Sequence, residues 1–261
     1  MQKISALVFF LFSFFELFSQ TDSTRYAPVR TKYRFDWGNN STRIFLTQYG
    51  QRKDLVMIHL HDDEVASAAA AKDVLSHTGG IMLELKNKEK RLVRFKKSGR
   101  YFFFDPNRIF TSRGLEKNLR FLNGHVTSAA LSSVRSFSSF ILQKIPSSAT
   151  YVIAVHNNED GKYSVRSYTI NGSRAKDAEK VHINPARDPD NFFIMTDTTL
   201  FRELEVEDFN VVLQSTKTAR DDGSLSIYFE KTPVTYINVE AQQGRFRTQV
   251  NMLHALLRLL Q

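Results

Sequence analysis

Two histidines and one glutamate are placed where they could bind a single metal ion. Glu64 follows His61 by three residues, and His156 comes much later in the chain. A spacing of three lets a histidine and a carboxylate on one turn reach the same cation. Two histidines and one glutamate form a zinc-ligand set of hydrolytic enzymes, which leaves a fourth position for water. The sequence therefore predicts one bound Zn²⁺ with His61, Glu64 and His156 as ligands.

Each histidine of this set follows an apolar run that predicts a buried strand. The two runs are residues 55–60 and 151–155. In α/β proteins ligand sites form at the carboxyl ends of the strands, so both side chains are expected at one edge of a sheet. Residues 62–76 predict a helix, since acidic residues occupy its first turn and two glycines follow it. In that position Glu64 could also serve only to stabilise the start of the helix.

The rest of the chain alternates strand-like and helix-like segments. Helices are predicted for residues 115–142, with a break near Gly124, and for residues 246–260. Residues 81–85 and 92–95 are expected to pair as neighbouring strands. Further strands are predicted for residues 43–49, 101–104, 192–195, 211–214, 225–229 and 236–239. This alternation favours an α/β fold: a single domain, residues 43–261, with a mixed, mostly parallel central sheet flanked by helices.

The composition excludes several kinds of site. The chain has 261 residues and no cysteine, so disulfides, thiolate metal sites and a cysteine nucleophile are ruled out. It carries 36 Lys and Arg against 27 Asp and Glu, a formal net charge of +9. This charge is compatible with nucleic acid, an anionic surface or an acidic substrate. Helical recognition motifs and aromatic–basic signatures are missing from the sequence, so no nucleic-acid partner is expected.

The first residues have the layout of a secretory signal. Lys3 precedes an apolar run at residues 4–15, and Ser19 provides a small residue at a cleavage point. The run is too short to anchor the protein in a bilayer, which takes about 20 apolar residues. Residues 1–19 are therefore predicted to be a signal peptide, and residues 20–42 an irregular N-terminal arm. The mature protein is expected in the periplasm or outside the cell, without a membrane anchor.

Four short motifs, in order, resemble those of zinc carboxypeptidases and their relatives in the succinylglutamate desuccinylase/aspartoacylase group. The second motif, Phe-Asp-Pro-Asn-Arg-Ile-Phe, is close to the Asp-Leu-Asn-Arg-x-Phe of the acylases, and Arg100 lies seven residues before its asparagine, Asn107. The four motifs are residues 61–64, 104–110, 155–157 and 239–244. The resemblance covers the chain from about residue 55 onward and implies a zinc carboxypeptidase-like fold.

This resemblance assigns roles to further residues. It implies that Glu240 is the general base, that Asn107 and Arg108 bind the substrate carboxylate with Arg100, and that one arginine polarises the scissile carbonyl. We expect this catalytic arginine to be Arg100. An alternative for Arg108 is a structural salt bridge with Asp105 in place of substrate binding. Tyr163 and Tyr168 follow the third ligand and are candidates for hydrogen bonding to substrate.

The implied activity is that of an exported zinc-dependent hydrolase that cleaves an amide bond next to a free carboxylate. Peptides, including cell-wall peptides, are the expected substrates; the alternatives are N-acyl amino acids, as in aspartoacylases, or a catalytically silent exported binding protein. Ala241 replaces the usual glycine and Pro106 a leucine. Only one predicted helix follows Glu240, where the acylases carry an added β-domain. Residues 61–64 also resemble the His-Pro-Asp-Asp-Glu motif of zinc deacetylases acting on sugars, but the proline and a later His-x-x-His are missing.

Overall fold

Eleven strands form two sheets in this computed structural model, which describes residues 25–260. In chain order the strands are β1 (Pro28–Asp36), β2 (Ser41–Tyr49), β3 (Leu55–His59), β4 (Gly80–Lys86), β5 (Val93–Lys97), β6 (Arg100–Phe104), β7 (Tyr151–Asn158), β8 (Ala178–His182), β9 (Phe192–Met195), β10 (Val211–Gln214) and β11 (Thr235–Gln242). Nine of them make one sheet in the order β1-β2-β4-β3-β7-β11-β9-β10-β8, and β5 and β6 make a separate hairpin. The predicted signal peptide, residues 1–19, lies outside the described residues.

The centre of the large sheet is parallel. Strand β3 pairs in parallel with β4 and β7, and β7 pairs in parallel with β11. The flanking pairs β1–β2, β2–β4, β11–β9 and β10–β8 are antiparallel, whereas β9–β10 is parallel. All five residues of β3 are buried, as expected for a parallel strand covered on both faces. The predicted α/β fold, a single domain with a mixed and mostly parallel central sheet, is confirmed.

Six α-helices within residues 25–260 cover the two faces of this sheet. They are α1 (Val65–Thr78), α2 (Ser112–Asn123), α3 (Ser128–Leu142), α4 (Thr198–Val206), α5 (Leu225–Phe229) and α6 (Phe246–Leu259). Helices α1, α4 and α6 bury their apolar side chains in one core. Helices α2, α3 and α5 share the core on the opposite face with the β5–β6 hairpin. Within residues 25–260, every helix is too short or too polar to cross a bilayer.

The predicted irregular arm is wrong for residues 28–36. These residues form β1, which pairs along its whole length with β2 at the edge of the sheet. Seven of its nine residues are exposed, and the other two are only half-buried. An edge strand with so little burial lacks the apolar alternation that reveals strands in a sequence.

Three other local predictions also differ from the structure. Residues 225–229 form helix α5 instead of a strand, since a run of five apolar-rich residues is too short for its periodicity to be decisive. Strand β4 pairs with β2 and β3, and not with β5, which pairs with β6. Helix α4 and strand β8 were not predicted.

Candidate metal centre

The candidate site lies at the carboxyl ends of the three central strands. His61 comes two residues after the end of β3, and His156 lies two residues before the end of β7. Glu240, in β11, is the register partner of His156 on the neighbouring parallel strand. Glu64 is brought back to His61 by a turn in which its backbone N–H donates to the His61 carbonyl oxygen at 3.0 Å. The parallel register therefore places side chains from distant parts of the chain at one sheet edge.

The structure brings the three predicted ligands together. The Nδ1 atoms of His61 and His156 are 3.2 Å apart, and each lies 2.9 Å from one carboxylate oxygen of Glu64. One ligand atom from each residue falls within 4.8 Å of the others. All three side chains are buried, with exposed fractions of 2%, 5% and 4% for His61, Glu64 and His156. Two imidazole nitrogens and one carboxylate suit a divalent cation such as zinc.

The surroundings of His61 also fit a metal ligand. Its second ring nitrogen, Nε2, lies 2.8 Å from Asp105 Oδ1, the carboxylate–histidine arrangement that orients metal-binding imidazoles. Burial by itself would lower the pKa of His61, but the Asp105 and Glu64 carboxylates outweigh it and raise the pKa to about 9. Burial opposes ionisation of Glu64 as well, yet His61 and His156 hold its pKa well below the usual range. The donor set is thus polarised and held in place by its neighbours.

Two residues around the ligands were missed in the sequence. Asp105, besides contacting His61, accepts the backbone N–H of Asn107 at 2.8 Å. Arg91 donates from Nη1 to Glu64 Oε1 at 2.6 Å and places its Nε 3.4 Å from Asp105 Oδ2. Asp105 opens the Asp-Pro-Asn-Arg motif, so its place in the motif was an available signal. Arg91 lies in a charged turn, and nothing in the sequence distinguishes it from the lysines around it.

Asn107 contacts a candidate ligand, and Arg108 contacts an acidic residue. Asn107 Nδ2 is 3.3 Å from His156 Nε2, and its Oδ1 accepts the backbone N–H of Leu225. The Arg108 guanidinium faces Asp222, with 3.5 Å between Nη1 and Oδ2. The link from Arg108 to Asp105 is a backbone hydrogen bond of 3.0 Å, so the suggested side-chain salt bridge between them is replaced by the pair with Asp222.

Glu240 is a buried carboxyl group next to the metal ligands but not bonded to them. Its Oε1 accepts a hydrogen bond from Asn238 Nδ2 at 3.0 Å, and 6% of the residue is exposed. Burial raises the pKa of Glu240, and the negative charge of Glu64 adds to this effect. A carboxyl group with a raised pKa beside a metal site is suited to accept and return a proton.

A cavity of about 460 Å³ opens in front of these groups. Tyr163 and Tyr168 both line it, and their hydroxyl groups are hydrogen-bonded to each other. Burial raises the pKa of both phenols, that of Tyr168 to about 12, so both remain neutral donors. Arg174, which was not predicted, lies over the Tyr163 ring at 5.4 Å and has Nη1 3.7 Å from Asp222. The cavity walls also include Arg91, Asn107, Arg108, Tyr236, Asn238, Glu240 and the three candidate ligands.

The predicted catalytic arginine, Arg100, is not part of this site. It is exposed at the start of β6 and lies outside the cavity walls. Asp105 follows the opposite end of that strand, and five residues of extended chain span about 16 Å. The spacing from Asn107 therefore suggested a contact that the straight strand does not allow. Within the described residues the arginines that line the cavity are Arg91, Arg108, Arg174 and Arg220.

His59, which is expected to be structural because it alternates with His61, contacts the backbone of Glu64. It is fully buried, and its Nε2 lies 3.0 Å from the Glu64 backbone carbonyl. Burial lowers the pKa of His59 to about 4, so its ring is neutral and donates this hydrogen bond. His59 thereby fixes the backbone of a candidate ligand.

Comparisons with known proteins give structural matches only. No protein-family model and no curated protein matches the chain. A succinylglutamate desuccinylase/aspartoacylase family protein from Shewanella amazonensis matches with a TM-score of 0.41 and 12% identity, over 89% of this chain and 72% of that one. An aspartoacylase family protein from Mesorhizobium loti matches with a TM-score of 0.44 and 13% identity, over 91% and 69% of the two chains. Thrombin activatable fibrinolysis inhibitor matches with a TM-score of 0.43 and 10% identity, over 90% and 68%.

Two of these three proteins are named for the group that the sequence motifs resemble. The identities are 10–13% and the TM-scores are below 0.5, so these matches assign no chemistry to this chain. Its chemistry must be inferred from the residues of its own site.

Proposed function

We propose that this protein is an exported zinc-dependent hydrolase that cleaves an amide bond next to a free carboxylate, as a carboxypeptidase does. Its substrates are peptides, a class that includes cell-wall peptides. The observation that supports this most directly is the convergence of His61, Glu64 and His156 beside the buried carboxyl group of Glu240 in one cavity. A purely structural histidine cluster has no need for a fourth ionisable group on the next strand.

Glu240 moves the proton in this reaction. Bound zinc would supply Lewis-acid chemistry that activates water and polarises the scissile carbonyl. The Glu240 carboxylate accepts a proton from the attacking water while the water oxygen bonds to the carbonyl carbon. It then gives that proton to the amide nitrogen as the carbon–nitrogen bond breaks, which releases a free amine and a carboxylic acid. Its raised pKa makes the protonated form easier to reach and so supports the first transfer.

The arginines of the cavity would hold the substrate carboxylate. Arg108 is oriented by its hydrogen bond to the Asn107 carbonyl oxygen at 3.0 Å, and the 3.5 Å contact with Asp222 leaves guanidinium donors for a ligand. Arginine suits this role because its planar fork binds a carboxylate through two parallel hydrogen bonds. Asn107 adds an amide donor beside His156.

Metal analysis and kinetics together test the proposal. The protein is loaded with zinc, and its metal content and its hydrolysis of peptides, C-terminally amidated peptides and N-acyl amino acids are measured. We expect one zinc per chain, lost in His61→Ala and His156→Ala. Glu240→Gln should keep the zinc but lose about 100-fold to 10,000-fold in rate, the usual contribution of a general base. Glu159→Gln, at a carboxylate on the cavity rim that pairs with Lys162, is the matched control and should hydrolyse normally.

Each measurement can contradict the proposal. Zinc retained by both alanine variants would show that the three residues are not the ligands. Equal rates for Glu240→Gln and wild type would remove the role of Glu240. Faster hydrolysis of N-acyl amino acids than of any peptide would favour the acylase alternative. Stoichiometric zinc without any hydrolysis would favour a silent binding protein.

A further inference from the structure

Most of the net positive charge of the chain lies in residues 25–104. Residues 25–104 contain 16 Lys and Arg but only 8 Asp and Glu. This segment therefore carries a formal net charge of +8, close to the +9 of the whole chain. The candidate metal site uses one of these cations, Arg91. The remaining excess therefore needs a different explanation from the binding of a small substrate.

Four of these cations lie on one face at the edge of the large sheet. Arg30, Lys32 and Arg34 alternate along β1, so their side chains point to the same face. Arg34 is the register partner of Arg43 on β2, which places Arg43 on that face too. We call these four exposed residues the basic face. Neighbouring strands are about 4.8 Å apart and alternate residues about 7 Å apart, so the four charges occupy a small area.

Few carboxylates balance the basic face. Arg30 lies 3.9 Å from the fully buried Glu84, which Lys72 already contacts at 2.6 Å. Arg34 lies 3.9 Å from Asp36. Within residues 25–260, neither Lys32 nor Arg43 has a carboxylate at ion-pair distance. Four like charges so close together repel one another, and an anionic partner would relieve that repulsion.

We propose that the basic face docks the protein on a lipid bilayer that contains anionic phospholipids. The cations are spread over two neighbouring strands instead of along one line, which matches an array of lipid phosphates better than a single polyanionic strand. Single-stranded nucleic acid is bound by basic grooves with exposed aromatic rings for the bases to stack on. The aromatic ring of this face, Phe45, is covered by the Arg30 guanidinium at 3.7 Å. The contact is with the membrane surface and adds no anchor that spans it.

Vesicle flotation, which leaves behind any protein that has aggregated on its own, tests this inference on the full chain. Binding is measured to vesicles of phosphatidylglycerol and phosphatidylcholine in equal parts, and to vesicles of phosphatidylcholine alone. Each basic residue near an anionic surface contributes about fivefold to binding. The triple variant Lys32→Gln, Arg34→Gln, Arg43→Gln should therefore lose about 100-fold in affinity for the anionic vesicles. The apolar run at residues 4–15 is common to all variants and to both vesicle types, so its contribution cancels.

The matched control removes the same charge from the other side of the sheet. Arg113, Lys117 and Arg135 are exposed on α2 and α3, and the variant with glutamine at all three should bind like wild type. Thermal unfolding of both triple variants verifies that the exposed substitutions leave the fold intact. We also expect wild-type binding to weaken at high salt, because surface charges are screened.

Three results would overturn the proposal: equal binding to both vesicle types, an equal loss in the two triple variants, or salt-sensitive binding to an oligonucleotide that exceeds vesicle binding and depends on the basic face. These results concern only β1 and β2, whereas the proposed hydrolase is tested by zinc content and rates, so either can fail alone.

Discussion

Asp105 is expected to control how zinc binding depends on pH. Its carboxylate lies 2.8 Å from His61 Nε2 and, against the effect of burial, helps to raise the pKa of His61 to about 9. A metal ion can bind His61 only after the proton has left Nδ1. Zinc binding to the wild-type protein should therefore release a proton from His61 throughout the range below that pKa.

The size of the effect follows from this pKa. At pH 7 a group with a pKa of about 9 is deprotonated in about 1% of molecules, so the apparent zinc affinity is lowered about 100-fold. Asp105→Asn removes the larger of the two negative charges that favour the imidazolium, so the pKa of His61 falls and this penalty becomes smaller. The variant also loses the carboxylate that orients the ring, which costs about 10-fold to 100-fold in metal affinity. The two effects oppose each other at pH 7 and only the second remains at pH 9.

Competition with a chromophoric chelator at several pH values measures the result. For the wild type, the logarithm of the zinc association constant should rise by about one per pH unit from pH 7 to pH 9. The Asp105→Asn line should be less steep than that of the wild type and about 10-fold to 100-fold below it at pH 9. Asp62→Asn is the matched control, because Asp62 is next to His61 in sequence but binds Lys86 and backbone N–H groups instead. Parallel lines for wild type and Asp105→Asn would refute the reasoning.

Three more outcomes are expected. Burial lowers the pKa of His59 to about 4, so the unfolded chain binds a proton below pH 6.5 that the folded protein does not. Denaturant titrations should therefore show about 2 kcal/mol of stability lost from pH 6.5 to pH 5. The loss should be smaller in His59→Gln, and an identical dependence on pH in the two proteins would contradict this. A Cβ at position 114 would lie 2.1 Å from the Gly223 backbone, so Gly114→Ala should cost about 1–3 kcal/mol or more by calorimetry, and an unchanged stability would contradict this close approach. Arg108→Gln should lower kcat/KM for peptides with a free carboxylate about 10-fold to 100-fold but spare amidated peptides, and Arg100→Gln should change neither; the reverse pattern would restore Arg100 to the site.

The ligands could be predicted from the sequence because their signals are local. His61 and His156 each follow an apolar run long enough to indicate a buried strand, and parallel strands of one sheet end at the same edge. Glu64 lies one turn from His61 and needs no tertiary information. These three positions, with the motif around Asn107, required only the order and spacing of residues.

The rest of the site depends on tertiary packing. Arg174 and Asp222 come from irregular segments that reach the cavity through long-range contacts such as the pair of Arg220 with Asp177. No periodicity marks residues in such segments. For Arg100 the sequence suggested a contact that the fold does not make. Its distance in sequence from Asn107 indicated a shared site, but the extended strand β6 separates Arg100 from Asn107. Strand β1 was missed because its residues are mostly exposed, which conceals the alternation.

The same exposed strand limits how copies of this protein associate. β1 is an outermost strand of the nine-stranded sheet, and no strand within residues 25–260 pairs with its outer edge, so that edge can pair with another extended chain. Arg30, Lys32 and Arg34 would meet their own counterparts if two copies aligned edge to edge, and this repulsion opposes the growth of a continuous intermolecular sheet. Any partner that neutralises these three side chains removes that barrier. Aggregation of the protein should therefore increase when their charge is masked, even if the fold is unchanged.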